Sequence, residues 1–320
     1  MKRNIMSAND SDTSWLVLVN PNAGSGRGKR DWKLIDNLLK TGGFRYQTVF
    51  TEKKYHAIDL AARNIERGYK KIIVVGGDGT LNEVMNGAFL QKKFSPKEVL
   101  IGMIPVGTGN DWERMYNIPS DYSKAINVLK RQRTFTQDAG IIHYHESGSR
   151  KIRYFINIAG MGFDARVVQK TNRQKDEGKK GALLYFLNIF TSLINYKCTH
   201  ISIEIDGEHV YDGTVFSLSL GIGKFCGGGM RQTPEAIPDD GLFDLTIIKE
   251  MPKVQIIMSL KRLFDGSILH HPRVAGFTGK RIRIDSEPPI YIEADGESLG
   301  QSPVEFEIIP GSLDVIIGDI

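Results

Sequence analysis

The sequence predicts a two-domain fold, in which an α/β N-terminal domain with a parallel sheet and crossover helices precedes a β-rich sandwich domain. Three observations predict it. Residues 14–133 alternate short apolar runs with helical stretches, the pattern of a parallel sheet whose strands are joined by helices. Residues 134–309 consist mainly of short alternating segments, as in a sandwich or barrel. The length of 320 residues suits two domains of ordinary size.

Four apolar runs predict the strands of the first domain. They are Trp15–Val19, Tyr46–Phe50, Lys71–Val75 and Val99–Ile104. The segments that follow them read NPNAGSGRGK, TEKKYHA, GGDGTLNE and PVGTGNDW. Because the carboxyl ends of parallel strands meet at one edge of a sheet, we expect all four loops at the edge where α/β proteins bind ligands.

The second domain is predicted from its alternating segments. These are Ile201–Ile205, Thr214–Leu220, Leu242–Lys249, Arg281–Asp285, Ile290–Glu293 and Val304–Ile309. Two helical stretches, residues 164–174 and 182–196, interrupt them. A last strand-like piece, residues 312–318, could return to either domain, so the segment 310–320 is a candidate addition to the first domain.

Composition narrows the class of function. The chain is 41% hydrophobic and 25% charged, as in a globular protein with a buried core, and its net charge of +5 favours anionic partners. The first twelve residues lack the apolar segment of a secretion signal, and no stretch reaches the roughly 18 apolar residues of a membrane-spanning helix. We therefore expect a cytoplasmic protein. The basic residues lack aromatic interleaving, so nucleic acid is not an expected partner.

The loop Gly76–Thr80, GGDGT, is the first candidate site. Its glycines let the backbone approach a phosphate closely, and the helix that follows offers free amides and a favourable dipole. Asp78 would repel a phosphate unless a cation lay between them, so the combination implies Mg²⁺. On these residues alone a tight turn in which Asp78 caps the helix remains open.

Two further loops are predicted at the same edge of the sheet. Residues 105–111, PVGTGND, again combine glycines with a hydroxyl, an amide and a carboxylate ahead of a helix. The loop Asn20–Lys29 is not a Walker P-loop, because Ala23 stands at a glycine position and Arg30 at the Mg²⁺-binding Ser or Thr position. It also fails the G-x-G-x-x-G pattern of dinucleotide-binding proteins. These two mismatches disfavour a Walker-type NTPase and leave a nicotinamide cofactor unsupported.

Carboxylates also occur at two turns in the second half. In Ala294–Glu297, either Asp295 or Glu297 could accept a proton from an acceptor hydroxyl during phosphoryl transfer. Taken alone, the Asp-Gly pair favours a plain hairpin turn. Residues 238–241, PDDG, could likewise be a turn or a small Mg²⁺ loop.

The ordered set of motifs resembles the diacylglycerol kinase catalytic-domain family, especially the soluble bacterial lipid kinases that are similar to sphingosine kinases. The motifs are VNPNAGSGRG at 19–28, VVGGDGTLNEVMNG at 74–87, IPVGTGNDWER at 104–114, IAGMGFDA at 158–165, PDDGLFD at 238–244 and EADGE at 293–297. The GGDGT loop alone is shared with NAD kinases and phosphofructokinases. The resemblance spans nearly the whole chain and implies an N-terminal domain of the NAD kinase or phosphofructokinase type.

The resemblance also implies the ligands of the first domain. ATP would lie across the three loops, and Asp78 and Asp111 would organise catalytic Mg²⁺. The residues implied in nucleotide binding are Asn20, Pro21, Asn22, Ala23, Gly24, Ser25, Gly26, Thr51, Gly76, Gly77, Asp78, Gly79, Thr80, Glu83, Thr108 and Asn110.

In the second domain the resemblance implies that Glu297, with Asp295 beside it, is the base that acts on a lipid hydroxyl. The loop at 238–244 resembles a structural Mg²⁺ site, which here would use the Asp240 side chain and the carbonyls of Ile237 and Leu242. Such kinases place the active site in the cleft between the two domains. The expected reaction is therefore transfer of the γ-phosphate of ATP to a lipid such as diacylglycerol.

Several questions stay open at this point. No residue identifies the lipid, an NAD kinase or a non-catalytic nucleotide or lipid sensor remains an alternative, and an exposed edge of the β domain would allow a homodimer. For contact with the inner face of a membrane, the basic-then-apolar order of Lys179, Lys180 and the helix from Ala182 marks the candidate edge.

Overall fold

A computed structural model describes residues 14–177 and 182–319. The chain divides into two compact units. The first unit runs to Gln137 and includes the segment from Gly311 onward, and the second comprises Asp138–Pro310. The N-terminal tail and the pair Lys179 and Lys180, which the sequence suggested as part of a membrane-facing edge, lie outside the described residues.

The first unit contains a parallel sheet. Its strands are β1 (Trp15–Val19), β2 (Tyr46–Phe50), β3 (Lys71–Gly76) and β4 (Leu100–Pro105). The order is β2–β1–β3–β4, and the next strand after β4 is the end of β16 (Glu297–Ile316), where Asp314 pairs in parallel with Leu100. The strand-like piece near the C-terminus, which the sequence left unassigned, thus extends the first sheet.

Helices connect the strands of the first unit. They are α1 (Ala23–Arg30), α2 (Trp32–Thr41), α3 (His56–Glu66), α4 (Asp78–Leu90), α5 (Asp111–Met115) and α6 (Tyr122–Arg131), with a 3₁₀ turn at Pro96–Glu98. The first residues of α1 are irregular, since Gly24, Ser25 and Gly26 have positive φ. The amphipathic helices α2 and α6 bury Leu39 and Leu129 against the apolar sheet. This packing holds the loops of the carboxyl edge on a rigid support.

The second unit is a sandwich of antiparallel strands. They are β5 (Thr134–Glu146), β6 (Ser149–Phe155), β7 (Ile158–Gly162), β8 (Thr199–Ile205), β9 (Glu208–Gly221), β10 (Phe225–Cys226), β11 (Met230–Arg231), β12 (Phe243–Lys249), β13 (Val274–Gly279), β14 (Arg281–Glu287), β15 (Tyr291–Ala294) and β16. One face is β13–β12–β9–β7–β15–β16 and the other includes β9–β8–β14–β16.

Two long strands join the faces of the sandwich. The first part of β9 pairs with β8 and its second part with β7 and β12, while β16 changes partner from β15 to β14. A core of branched and aromatic side chains fills the space between the faces, including Phe155, Phe243 and Phe306. The predicted sandwich is therefore confirmed, and its second layer is made by strands that turn from one face into the other.

In its described residues the second unit contains three helices, where the sequence predicted two. α7 (Phe163–Asp176) and α8 (Ala182–Asn195) occupy the predicted stretches, with a 3₁₀ turn at Ile268–His270 further on. The third helix, α9 (Lys253–Asp265), was missed. It begins after Pro252 with no side-chain cap, and large apolar residues on its surface are exposed, so it lacks the usual start signal and a one-sided buried pattern. Across the described part of the chain, no helix is both long and apolar enough to cross a membrane.

Candidate functional site

Three loops meet at the carboxyl edge of the parallel sheet in the first unit. They follow β1, β3 and β4, and their backbones are in close contact. A Cβ added to Gly77 would lie 2.9 Å from Cα of Gly107, and one added to Gly24 would lie 1.9 Å from the carbonyl oxygen of Val106. Real Cβ atoms do not approach backbone so closely, so glycine is required at these positions. The predicted convergence is observed for these three of the four loops.

The first loop is tied to the second by side chains. Asn20 Nδ2 donates a hydrogen bond to Thr80 Oγ1 at 2.9 Å, and Asn20 Oδ1 accepts one from the backbone N–H of Asn22 at 3.0 Å. Thr80 is buried against Gly76, where a Cβ would meet the Thr80 side chain. Of the other residues predicted in this loop, Pro21, Ala23 and the glycines are half-buried, whereas Asn22 and Ser25 are exposed. Residues 20–26 therefore form one surface with the GGDGT turn.

Arg27 connects the first loop to the third, and the sequence analysis missed it. Its guanidinium donates hydrogen bonds to the carbonyl oxygens of Val106, at 3.0 Å, and Gly107. No sequence signal distinguishes it from the neighbouring Lys29 and Arg30, because its acceptors are backbone atoms distant in the chain. The contact fixes the two loops against each other.

Asp78 does not cap its own helix. Gly77 occupies the N-cap position of α4, and the Asp78 carboxylate instead accepts backbone N–H groups of Asp111, at 3.2 Å, and Trp112, at 3.1 Å. The helix-capping alternative is therefore wrong. Burial raises the pKa of Asp78, and these backbone hydrogen bonds act in the opposite direction. Asp78 thus anchors the third loop.

Two other predicted nucleotide contacts lie beside this edge. Thr51 is buried and its N–H donates to the Val19 carbonyl at 2.9 Å, which continues the β1–β2 ladder. The Glu83 carboxylate accepts the backbone N–H groups of Tyr55 and Ala57, both at 3.1 Å, at the start of α3. Glu83 therefore holds the loop that follows Thr51, and its contact with a nucleotide stays a prediction.

The third loop and the first turn of α5 contain buried oxygens that accept no hydrogen bond from the described residues. They are Oδ1 of Asn110 and both carboxylate oxygens of Glu113. Burial raises the pKa of Glu113 to about 9, and the charges of Asp78 and Asp111 add to the effect. Asp111 is buried as well, whereas Thr108 is exposed. Glu113 was not predicted, because in the sequence it reads as one half of an ordinary Glu-Arg pair.

These features suit a nucleotide and a divalent cation. Orphaned buried oxygens cost free energy unless a ligand satisfies them, and a backbone cradle of glycines admits phosphates. No group of three His, Cys, Asp or Glu residues in the described chain is arranged around one ion. Mg²⁺ does not need such a cage, since it commonly binds one or two carboxylates together with water and phosphate oxygens. Asp78 and Asp111 fit that requirement.

The second candidate feature is the hairpin between β15 and β16. Ala294 pairs with Glu297, and the two residues between them, Asp295 and Gly296, both have positive φ. This is the hairpin turn expected of an Asp-Gly pair. The Asp295 carboxylate accepts backbone N–H groups of Ile156, Asn157 and Ile158 at 2.9–3.2 Å. Asp295 therefore fixes the turn at whose end Glu297 begins β16.

A buried carboxyl supports the same hairpin. Glu293 Oε2 accepts the Gly296 N–H at 3.0 Å, and burial raises the pKa of Glu293 well above its usual value. The charges of Asp164, Asp295 and Glu297 raise it further, so these four carboxyls lie within electrostatic range of one another. Glu297 itself is half-buried.

The predicted structural Mg²⁺ loop lies between β11 and β12. Asp240 Oδ1 accepts the Leu242 N–H at 3.0 Å, and Asp138 Oδ2 accepts the Gly241 N–H at 2.8 Å. Burial raises the pKa of Asp244 to about 6, and the nearby charges of Asp240 and Glu235 contribute. Ile237 is exposed. The surroundings are acidic, and a cation held by Ile237, Asp240 and Leu242 stays a prediction.

Comparison with known proteins follows the same division of the chain. Residues 14–142 match the family "Diacylglycerol kinase catalytic domain", and residues 157–317 match "YegS C-terminal NAD kinase beta sandwich-like domain". The chain is 32% identical to a diacylglycerol kinase of Staphylococcus saprophyticus over 290 residues, which are 91% of this chain and 90% of that protein. It is 32% identical to one of Staphylococcus aureus over 301 residues, 93% of this chain and 90% of the relative.

Solved structures show the same fold. A putative diacylglycerol kinase from Bacillus anthracis superposes with a TM-score of 0.75 at 24% identity, covering 96% of this chain and 97% of that one. An NAD kinase from Archaeoglobus fulgidus in complex with ATP gives 0.53 at 13% identity, with 94% and 93% coverage. The fold is thus that of an α/β domain with an NAD kinase-like β sandwich. With the loops and the hairpin in the positions described, and with relatives that match along almost its whole length, the chain belongs to the diacylglycerol kinase catalytic-domain family.

Proposed function

We propose that this protein is an ATP- and Mg²⁺-dependent lipid kinase that transfers the γ-phosphate to a hydroxyl of a lipid such as diacylglycerol. Membership of a kinase family supports phosphoryl transfer, and the names of the Staphylococcus relatives support a lipid acceptor. The observation that carries the proposal is the three-loop edge, where glycine-only backbone contacts adjoin the buried, unsatisfied oxygens of Asn110 and Glu113.

On the donor side, the phosphates would bind against the backbone of the loops that follow β1 and β3. Free N–H groups at the start of α4 favour an anion there. Asp78 and Asp111 would hold Mg²⁺, which when bound bridges phosphate oxygens and offsets their charge. Asn20 and Thr80 keep the two loops in register through their hydrogen bond.

On the acceptor side, Glu297 would accept the proton of the lipid hydroxyl. We assign this role to Glu297 rather than Asp295, because the Asp295 carboxylate already accepts three backbone N–H groups. Asp295 would act as a positioning residue that presents Glu297 at the end of the turn. A general base within hydrogen-bond reach of the acceptor contributes about 10²- to 10⁴-fold in rate.

The NAD kinase alternative has one supporting observation, the shared fold with the Archaeoglobus fulgidus enzyme. At 13% identity this likeness concerns the fold alone. The higher identity to diacylglycerol kinases favours a lipid acceptor.

The donor side is tested by isothermal titration calorimetry with ATP in the presence of Mg²⁺ or of EDTA. We expect binding of ATP that depends on Mg²⁺ and is weakened at least tenfold in Asp111→Asn. The exposed Asp59 provides a matched control, and Asp59→Asn should bind like the parent chain. Equal affinity with Mg²⁺ and with EDTA in all three proteins would remove Asp111 from the cation site.

A further inference from the structure

The loop between β2 and α3 holds an aromatic side chain in a strained conformation. It comprises residues 51–55, TEKKY, and because β2 runs parallel to β1 with Phe50 beside Val19, it lies at the carboxyl edge of the sheet. Tyr55, at the N-cap position of α3, has a φ of 64° and a ψ of 6°. This left-handed conformation crowds the Cβ of a bulky residue, whereas Gly and Asn adopt it readily. The chain therefore keeps an aromatic ring where its backbone favours a smaller residue.

Packing in the core does not explain this tyrosine. Tyr55 is 41% exposed, and α3 is buried through Ala57, Ala61 and Ile65 instead. The ring also has a cation beside it, since Lys54 Nζ lies 4.9 Å from the ring centroid. Strained residues persist where the surrounding structure holds them, and they cluster at sites that contact ligands. An exposed ring next to a cation suits a ligand that combines a flat aromatic group with negative charge.

Hydrogen bonds hold the loop in one conformation. The Glu52 N–H donates to His56 Nδ1 at 3.1 Å, and the His56 N–H donates to the Lys53 carbonyl at 3.3 Å. The Tyr55 N–H donates to Glu83 Oε1 at 3.1 Å. A side chain on a backbone that is already fixed loses little conformational freedom when a ligand binds against it. The strain at Tyr55 is thus maintained by contacts with other residues.

Glu83 connects this loop to the GGDGT turn. It belongs to α4, which begins within that turn, and its other oxygen accepts the Ala57 N–H of α3. The two helices are in close contact, since a Cβ added to Gly87 of α4 would lie 2.5 Å from the Ile58 carbonyl oxygen. Only β1 separates β2 from β3, so the ends of those two strands lie about 10 Å apart. A nucleotide whose phosphates contact the GGDGT turn can therefore extend its base to Tyr55.

We propose that the Tyr55 ring stacks against the base of the donor nucleotide and selects a purine over a pyrimidine. The proposal rests on the proposed function for the presence of a nucleotide. It adds the position of the base, which phosphate contacts alone leave undefined, and the side chain that recognises it. An aromatic side chain can stack on any base, but a two-ring purine covers more of it than a pyrimidine does. Lys54, beside the ring, adds a positive charge near the nucleotide.

Isothermal titration calorimetry of the full chain with Mg²⁺ tests the proposal. Three ligands are compared, namely ATP, CTP and inorganic tripolyphosphate, which has no base. Tyr55→Gly and Tyr55→Asn both remove the ring, and both new residues suit a left-handed backbone. We expect the affinity of each variant for ATP to fall on the order of tenfold. The ratio of ATP to CTP affinity should approach one, and the affinity for tripolyphosphate should change less than twofold.

Two control variants accompany them. Tyr55→Phe keeps the ring and should bind ATP within threefold of the parent chain. Gln132→Gly places glycine at another left-handed position, with a φ of 47° at the exposed end of α6, and should bind all three ligands normally. Because Tyr55→Gly removes strain, its melting temperature should be no lower than that of the parent chain. This measurement separates the loss of a ligand contact from a loss of folding.

Four results would overturn the proposal. Unchanged ATP affinity in Tyr55→Gly and Tyr55→Asn would remove the stack while the nucleotide site stands. An equal loss of ATP and tripolyphosphate affinity would show that the ring supports the loop instead of contacting the base. The same loss of ATP affinity in Tyr55→Phe would assign the contact to the hydroxyl group. Finally, a parent chain that binds neither ATP nor tripolyphosphate would contradict the donor side of the proposed function as well.

Discussion

The two candidate regions of this protein are built in different ways. The proposed nucleotide edge of the first unit depends on backbone, with glycines that permit loop contact at Gly24, Gly77 and Gly107. The hairpin of the second unit depends on side chains, with Asp295 and Glu293 holding a turn that presents Glu297. A substitution that adds a side chain where two backbones touch should therefore disrupt the first region. In the second region, a substitution that changes a single side-chain atom should be enough.

The largest effect is expected from Glu297→Gln. Removing the proposed base while keeping the shape of the side chain should lower phosphate transfer to diacylglycerol by about 10²- to 10⁴-fold. The melting temperature and the affinity for ATP should stay close to those of the parent chain. Transfer is measured with labelled ATP in mixed micelles, beside Glu208→Gln, an exposed control in the same unit. A loss of less than threefold would remove Glu297 from the reaction.

The next largest effect is expected from Gly107→Ala. The added Cβ would lie 2.7 Å from Cα of Gly77 and 2.6 Å from Oδ1 of Asn110, so the loops must separate. We expect affinity for ATP with Mg²⁺ to fall at least tenfold in calorimetry, because separated loops no longer present their amides together.

Gly276→Ala provides the control for that substitution, because its Cβ meets only the flexible Leu269 side chain, at 3.2 Å. It should bind ATP normally. Normal ATP binding by Gly107→Ala as well would show that the close contact of the loops is unimportant for the nucleotide.

Asp295→Asn should separate positioning from chemistry. An amide offers one acceptor oxygen where the carboxylate offers two to the N–H groups of residues 156–158. We expect the free energy of unfolding to fall by about 1–3 kcal/mol, measured by urea denaturation. Transfer should fall less than in Glu297→Gln at a temperature where both variants are folded. The reverse order of the two activities would make Asp295 the base.

The smallest effect is expected in how the stability of the folded chain depends on pH through the ionisation of Glu113. Its pKa is raised from 4.5 to about 9 in the folded chain by burial and by the charges of Asp78 and Asp111. The folded state therefore binds this proton more tightly than the unfolded state, and stability is lost as pH rises from about 4.5 towards 9.

Glu113→Gln carries no such proton and should avoid the loss. Without nucleotide, we expect the variant to melt several degrees above the parent chain at pH 8.5 and at nearly the same temperature at pH 5, by calorimetry. A constant difference at both pH values would contradict a protonated carboxyl at this position.

Particular residues show how far sequence alone could go. The strands β1 to β4 were predicted because continuous apolar runs end in loops with strong signals. In contrast, α9 was missed because it has no capping residue and keeps apolar side chains on its surface. Arg27 could not be found from the sequence, because its guanidinium binds backbone carbonyls that are distant in the chain. Glu113 could not be found either, because it stands out only in the folded chain, where its buried carboxylate oxygens accept no hydrogen bond from the described residues. Likewise, the proposal that Glu297 and not Asp295 is the base depends on the three backbone N–H groups that donate to Asp295, which lie far from it in the chain.

The central claim is tested most directly by transfer of labelled γ-phosphate from ATP to a panel of lipids in mixed micelles with Mg²⁺. Diacylglycerol, phosphatidylglycerol, a sphingoid base and a polyprenol are run beside NAD and a sample without acceptor. The account predicts label in a lipid that is lost in EDTA and in Glu297→Gln. Label in NAD alone would establish the NAD kinase alternative and contradict the account, and no label in any acceptor would favour a non-catalytic sensor of nucleotide or lipid.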